Sequence, residues 1–203
     1  MAETTSGQSA LILLAAGNST RMGAPKQLLE FAGKPMLRLA AETALASGCS
    51  PVVVVLGARE AEIRPALHGL NVQIVVNHRW AEGMGTSIQA GLRALEHHEV
   101  AGTVVALSDQ PLISSTFLRS LVEKHQESGH SIVAAQYAET AGVPAFFARE
   151  ALPLLLALKP DQGCKAVILS RLANTLLVDC PEAAKDIDTP EDYTLARQGR
   201  GAE

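Results

Sequence analysis

Leu11-Ile-Leu-Leu-Ala-Ala-Gly17-Asn-Ser-Thr-Arg21-Met-Gly23-Ala-Pro-Lys26-Gln-Leu-Leu29 takes an apolar run straight into a loop of small residues whose only charges are Arg21 and Lys26. The run is uniformly apolar over Ala10–Leu14, which predicts a strand buried on both faces rather than one with a solvated side. The same signature returns at Val52–Leu56, Val72–Val76, Thr103–Leu107, Ser131–Ala135 and Thr175–Val178. Between these runs, Pro35–Ala46, Arg59–Leu67, Thr86–His97, Ser114–Ser128 and Ala151–Leu158 read as helices. In Thr86–His97, Ile88, Leu92 and Leu95 fall on one stripe. Further helices are expected over Lys165–Arg171 and after Pro190, a residue suited to a first helical turn. Buried strands alternating with helices predict an α/β fold, a single three-layer α/β/α domain around a mostly parallel sheet. Residues 1–9 and 199–203 read as flexible tails, leaving 10–198 as the domain.

In such sheets ligands lie outside the carboxyl ends of the strands, so the loop after the first strand is where chemistry is to be sought. Gly17 and Gly23 let backbone approach a ligand, and successive N–H groups there can cradle phosphate oxygens. Arg21 offers a planar fork of donors and Lys26 a compact charge. Two familiar phosphate motifs are excluded. Five residues separate Gly17 from Gly23 and Lys26 does not follow Gly23 directly, so this is not a GxxxxGK[ST] loop, and GxGxxG is absent.

Thr103-Val-Val-Ala-Leu-Ser-Asp109-Gln-Pro-Leu112 puts a carboxylate at the end of another buried strand. A hard cation such as Mg2+ takes one or two carboxylates and completes its shell with phosphate oxygens, which suits Asp109. The alternative, an N-cap aspartate, is weakened because Ser114 serves the next helix better. A second acidic cluster, Asp186-Ile-Asp188-Thr-Pro-Glu-Asp192, precedes the last helix. Asp186 and Asp188 share a side if that segment is extended. Asp188 or Thr189 is also a candidate N-cap, and Glu191 and Asp192 complement the helix dipole. Glu82-Gly-Met-Gly-Thr-Ser87 opens a helix; Thr86 or Ser87 there either caps it or donates to a ligand.

Leu14-Ala-Ala-Gly17, Arg21-Met-Gly23 and Pro25-Lys26, with Asp109 and the Gly-Met-Gly-x-Ser element, resemble the signature of NTP transferases of the glycosyltransferase-A-like (nucleotide-diphospho-sugar transferase, Rossmann-like) fold. The nearest resemblance is to molybdenum cofactor cytidylyl- and guanylyltransferases, and it spans Leu11 to Tyr193. It implies a Mg2+-dependent transfer of NMP from an NTP to a phosphorylated small-molecule acceptor of the molybdopterin type, with release of pyrophosphate. Leu14, Ala15, Ala16, Gly17, Arg21, Gly23 and Lys26 would bind the nucleotide, together with Gly83, Gly85, Thr86, Ser87 and Asp109. Arg21, Lys26 and Asp109 would be catalytic, and Asp109, Asp186 and Asp188 would supply the metal ligands. Gln110, Pro111, Gly142, Pro144 and Lys165 would face the acceptor. The Ala-Ala-Gly form of the loop points to CTP over GTP, since Ala16 narrows the base pocket. A transient contact with a molybdoenzyme or its chaperone is also implied. Asp161-Gln-Gly-Cys164-Lys165 departs from the family's usual run, which leaves a guanylyltransferase, a sugar- or polyol-phosphate nucleotidyltransferase or a non-catalytic nucleotide-binding module as alternatives.

The totals agree with a small-ligand enzyme. The 203 residues are 47% hydrophobic, enough for a sizeable core, and 17 basic against 21 acidic residues give no concentrated positive field for nucleic acid or membrane. Cys49, Cys164 and Cys180 form no CxxC or zinc spacing and are expected to be reduced thiols. Residues 1–9 lack a signal-peptide pattern and no apolar run is long enough to span a bilayer, so a cytoplasmic location is expected.

Overall fold

The computed structural model describes residues 7–198, apart from the side chain of Arg21. Most of both expected tails, residues 1–6 and 199–203, therefore lies outside the described residues, while Ser9 already pairs in the first strand.

The described residues form nine strands: β1 (Ser9–Ala15), β2 (Glu30–Phe31), β3 (Lys34–Pro35), β4 (Val52–Leu56), β5 (Gln73–Val76), β6 (Gly102–Leu107), β7 (Ile132–Tyr137), β8 (Thr140–Ala148) and β9 (Thr175–Asp179). Seven of them form one sheet in the order β5-β4-β1-β6-β8-β7-β9, and β2 and β3 make a small hairpin. The helices are α1 (Met36–Ala46), α2 (Glu60–Ile63), α3 (Met84–Ala94), α4 (Ser115–Ser128), α5 (Leu152–Leu156), α6 (Cys164–Ser170) and α7 (Pro190–Gln198).

β1 is central, flanked in parallel by β4 and β6. Its side chains divide between two cores. Leu11 and Leu13 pack with Leu37, Ala41 and Leu121 of α1 and α4, whereas Ile12 and Leu14 pack with Ile88, Leu92, Leu155 and Ile168 of α3, α5 and α6. The uniform apolarity of these strands is thus the mark of a sheet covered on both faces. α4 is framed as its sequence dictates, with Ser114 Oγ accepting from Phe117 N at 3.1 Å and Gly129 ending it at φ 72°.

One strand of the seven-stranded sheet has no counterpart in the sequence reading, and neither does the β2–β3 hairpin. β8 runs antiparallel between β6 and β7, the one reversal in the sheet. Its Gly142 and Pro144 read as breakers, and they sit where the register slips: Ala134 faces Ala145, but Ala135 faces Gly142. A bulge takes up a residue that cannot donate to the ladder, so proline is tolerated there inside a sheet. Pairing between β6 and β8 stops at Val105, and the last two residues of β6 diverge from β8.

A third, smaller cluster joins Phe31, Met36 and Ile187 to Tyr193 and Ala196, and Tyr193 Oη donates to Glu30 O at 2.6 Å. This docks α7 on the β2–β3 hairpin and fixes the chain just before it. The start of α7 is a reciprocal capping box: Asp192 N donates to Thr189 Oγ1 at 3.2 Å while Asp192 Oδ2 accepts from Thr189 N at 2.8 Å. Asp192 therefore does more than complement the helix dipole, and Thr189 takes the capping place that had been open to Asp188.

All three cysteines are buried, and burial raises their thiols, Cys164 to about 12 and Cys180 to about 11. At pH 8 a thiol near 12 is ionised only on the order of one part in 10⁴, and the thiolate is the reactive form. The native protein should therefore fail to react with Ellman's reagent and release three equivalents in denaturant. Rapid native labelling would contradict this packing.

Candidate active site between the ends of β1 and β6

A cleft of about 350 Å³ opens at the carboxyl ends of β1 and β6, within the size range of small-molecule sites. Leu14, Ala15, Ala16 and Gly17 form one side and Leu107, Ser108 and Asp109 another. Lys26 comes from the loop after β1, Ser87 and Gly83 from the start of α3, and Asp186 and Asp188 from the chain before α7.

The loop after β1 is held by Gln27, which the sequence reading passed over because a polar loop residue ordinarily reads as solvated. Gln27 is 2% exposed. Its Nε2 donates to Ala15 O at 3.2 Å and Gly17 O at 2.9 Å, and its Oε1 accepts from Ser19 Oγ at 3.2 Å. Ser19 Oγ in turn accepts from Lys26 N at 3.1 Å, with Ser19 itself left-handed at φ 55°. Two loop carbonyls are thus tied inward. Gly23, at φ 70°, ends the short turn Thr20–Met22 with open space around it and does not line the cleft.

Lys26 is the electrostatic centre. Its Nζ donates to Asp109 Oδ2 at 2.5 Å and Asp188 Oδ1 at 2.8 Å. Burial works against the ammonium, but Asp109 and Asp188 outweigh it and hold Lys26 above its ordinary range. Burial also raises Asp186, reinforced by the charges of Asp109 and Asp188 and opposed by a hydrogen bond from Gln110. Among the described lining residues three carboxylates face one cation. Asp109 Oδ1 is buried without a hydrogen-bond partner. A buried anionic oxygen with no donor is costly and fits a divalent cation. Among the described residues no three carboxylate, histidine or cysteine side chains are grouped so as to hold a metal ion, so Asp109, Asp186 and Asp188 do not form a ready-made three-ligand cage.

The glycines at the start of α3 face protein more than ligand. A Cβ at Gly83 would run into Pro160 O, and one at Gly85 into Lys159 O. Gly85 N donates to Pro160 O at 2.9 Å. Thr86 is 3% exposed and its hydroxyl donates to Gly83 O at 2.8 Å, with Asn77 Nδ2 donating to it at 2.8 Å and to Ser87 Oγ at 2.9 Å. Of this element, Gly83 and Ser87 line the cleft, joined by Met84 and Trp80. Gly85→Ala should lower Tm by roughly 2–12 °C, the range for overpacking by about 1–3 kcal/mol in a domain of this size. An unchanged Tm in thermal unfolding would show that the 159–162 segment yields freely.

Of the five acceptor-side residues, Gln110, Pro111 and Pro144 share a recess, while Gly142 and Lys165 line neither that recess nor the cleft. Gln110 is 3% exposed and turned inward. It lines, with Pro111 and Pro144, an apolar recess behind β1 and β6 that is separate from the cleft. Gly142 lies in β8 where a Cβ would meet the Tyr137 hydroxyl. Lys165 is exposed on α6 and does not line the cleft. The side chain of Arg21 lies outside the described residues.

Residues 11–175 match the family model of the MobA-like NTP transferase domain. The chain is 34% identical over 193 residues to nicotine blue oxidoreductase of Paenarthrobacter nicotinovorans, covering 89% of this chain and 92% of that protein. It is 29% identical over 201 residues to the purine catabolism protein PucB of Bacillus subtilis (strain 168), covering 92% and 95%. The crystal structure of Rv0371c from Mycobacterium tuberculosis H37Rv is similar at a TM-score of 0.78 and 29% identity, covering 94% of this chain and 98% of that one. A structure of Rv0371c in complex with manganese is similar at a TM-score of 0.74 and 26% identity, with the same coverage. With its cleft at the strand ends and a family match over most of its length, the chain belongs to the MobA-like NTP transferase domain family and is a nucleotidyltransferase of that kind.

Proposed function

We propose that this protein transfers CMP from CTP to the phosphate of a molybdopterin-type acceptor. The observation that carries the reading is the meeting of Lys26, Asp109 and Asp188 beside the small-residue loop at the end of β1. The loop takes the triphosphate on its N–H groups, while Gln27 holds the Ala15 and Gly17 carbonyls. An oxygen of the acceptor phosphate forms a bond to the α-phosphorus while the bond to the bridging oxygen of pyrophosphate breaks, and that oxygen keeps the electron pair. Lys26 stabilises the charge that grows on the departing pyrophosphate. Arg21, next to the same loop, is assigned the same work. No enzyme nucleophile is needed, since positioning and electrostatics carry such transfers.

Asp109, with Asp186 and Asp188 beside it, would hold Mg2+. When bound, the metal neutralises the α-phosphate and polarises it toward attack. The manganese complex of Rv0371c supports divalent-metal use in relatives. Ala16 is 7% exposed and lines the cleft, and its methyl is read as favouring a pyrimidine over a purine. No helix among the described residues is long and apolar enough to cross a membrane, in keeping with a cytoplasmic enzyme that hands its product to a molybdoenzyme or its chaperone.

The test is a competition of CTP against GTP, read as product ratio with molybdopterin as acceptor and pyrophosphate release as rate. CTP is expected to win, and Ala16→Gly should weaken that preference without inverting it, since one methyl discriminates by ~1–3 kcal/mol. Preference for GTP by the unmodified protein would reject the cytidylyl assignment. Nicotine blue oxidoreductase, at 34% identity, adds one arm: a change in the oxidation state of nicotine blue in place of pyrophosphate release would favour a redox activity.

A further inference from the structure

Gln110 follows Asp109 at the end of β6, where a polar side chain would be expected to meet ligand or water. Instead it is 3% exposed and its carboxamide reaches away from the cleft. Its Nε2 donates to Asp186 Oδ1 at 2.9 Å and to Ala183 O at 3.1 Å, with a longer contact to Val143 O at 3.4 Å. The amide can be oriented only this way, because the flipped form would set Oε1 against two carbonyls and a carboxylate. Its Oε1 is buried without a hydrogen-bond partner, so Gln110 is kept in place at the expense of one unsatisfied acceptor. The neighbouring backbone adds a second tie, from Ile187 N to Asp109 O at 2.9 Å.

We propose that Gln110 is a positioning residue that acts through Asp186, fixing one carboxylate oxygen so that the other is presented to a divalent cation shared with Asp109. The proposal rests on the reading of Asp186 as a metal ligand given above. Three separate stretches of chain meet at this one amide: the end of β6, the bulge of β8 at Val143, and the turn at Ala183. Among the described residues no other hydrogen bond holds the Asp186 side chain against the repulsion of Asp109 and Asp188. Partners of this kind behind a metal ligand typically govern metal affinity by ten- to a hundredfold.

The experiment is a Mn2+ titration of the full chain with a non-hydrolysable CTP analogue, followed by the electron paramagnetic resonance signal of free Mn2+. Asp186→Asn and Gln110→Leu are each expected to weaken Mn2+ binding by roughly ten- to a hundredfold. The double variant should bind no more weakly than Asp186→Asn alone, since Gln110 then has no carboxylate to position. If Gln110→Leu does not fold, Gln110→Met, of similar length and without a donor, carries the same expectation. Additive losses in the double variant would mean that Gln110 acts on the fold at large, and would overturn the proposal. So would unchanged Mn2+ affinity in the Gln110 variant with a raised KM for acceptor, which would make Gln110 an acceptor contact. Unchanged Mn2+ affinity in Asp186→Asn would instead remove Asp186 from the metal site and take the proposal with it.

Discussion

Asp109→Asn is expected to lower the turnover of nucleotidyl transfer by about 10²–10³-fold, on the order of 3 kcal/mol in the barrier, with thermal unfolding close to that of the unmodified protein. The substitution keeps the shape of the side chain and removes its charge. Oδ2 of Asp109 anchors Lys26 at 2.5 Å, and Oδ1 is the buried oxygen without a donor. An amide can neither hold the ammonium as an ion pair nor give a metal an anionic ligand, so both contributions are lost in one step. Pyrophosphate release in saturating Mg2+ measures this, and turnover within a few-fold of the unmodified protein would withdraw Asp109 from the chemistry.

Lys26→Met should be as damaging to turnover, yet it should tighten the binding of Mn2+ to the nucleotide-free protein. The lysine lies between two of the three carboxylates. A cation that needs Asp109 must first displace the ammonium, and hydrogen bonds to charged groups are worth about 1.5–3 kcal/mol each, so removing the competitor should improve Mn2+ affinity roughly ten- to a hundredfold. The phosphates of a bound nucleotide give Lys26 another partner, so the difference should shrink when a non-hydrolysable CTP analogue is present. Calorimetry with and without the analogue tests both halves. Weaker Mn2+ binding by Lys26→Met would show that the lysine organises the acids for the metal instead of competing with it.

Much of this was legible in the sequence because it follows from burial and strand direction. Uniformly apolar runs identified β1, β4 and β6, and the rule that ligands gather at strand ends singled out Lys26 and Asp109 before any geometry was known. β8 was hidden because Gly142 and Pro144 carry the local signal of a turn, and only the β7–β8 register shows that a bulge absorbs them. Gln27 and Gln110 were opaque for a related reason. A glutamine's sequence neighbourhood says nothing about whether its amide faces water or distant carbonyls, and here the partners of Gln110 lie 33 to 76 residues away. Gly85 carried a signal that was read for a ligand, whereas the close approach it permits is to the 159–162 backbone. Residues chosen for the acceptor depended on motif likeness alone, and the fold distributes them over a buried strand, a separate recess and an exposed helix.

Asp186 and Asp188 reach the cleft from beyond β9, the last strand, with Ile187 tied back to Asp109 across the end of the sheet. This sets an order of events during synthesis. Asp188 is added 79 residues after Asp109, an interval of roughly 4–16 s at ribosomal rates of about 5–20 residues per second. A nascent chain can lay β1, β4 and β6 side by side well before then, and over that interval the loop after β1 exists without two of the three carboxylates that line the cleft. Premature termination anywhere between β9 and α7 would release a protein with the complete seven-stranded sheet and an unfinished catalytic centre.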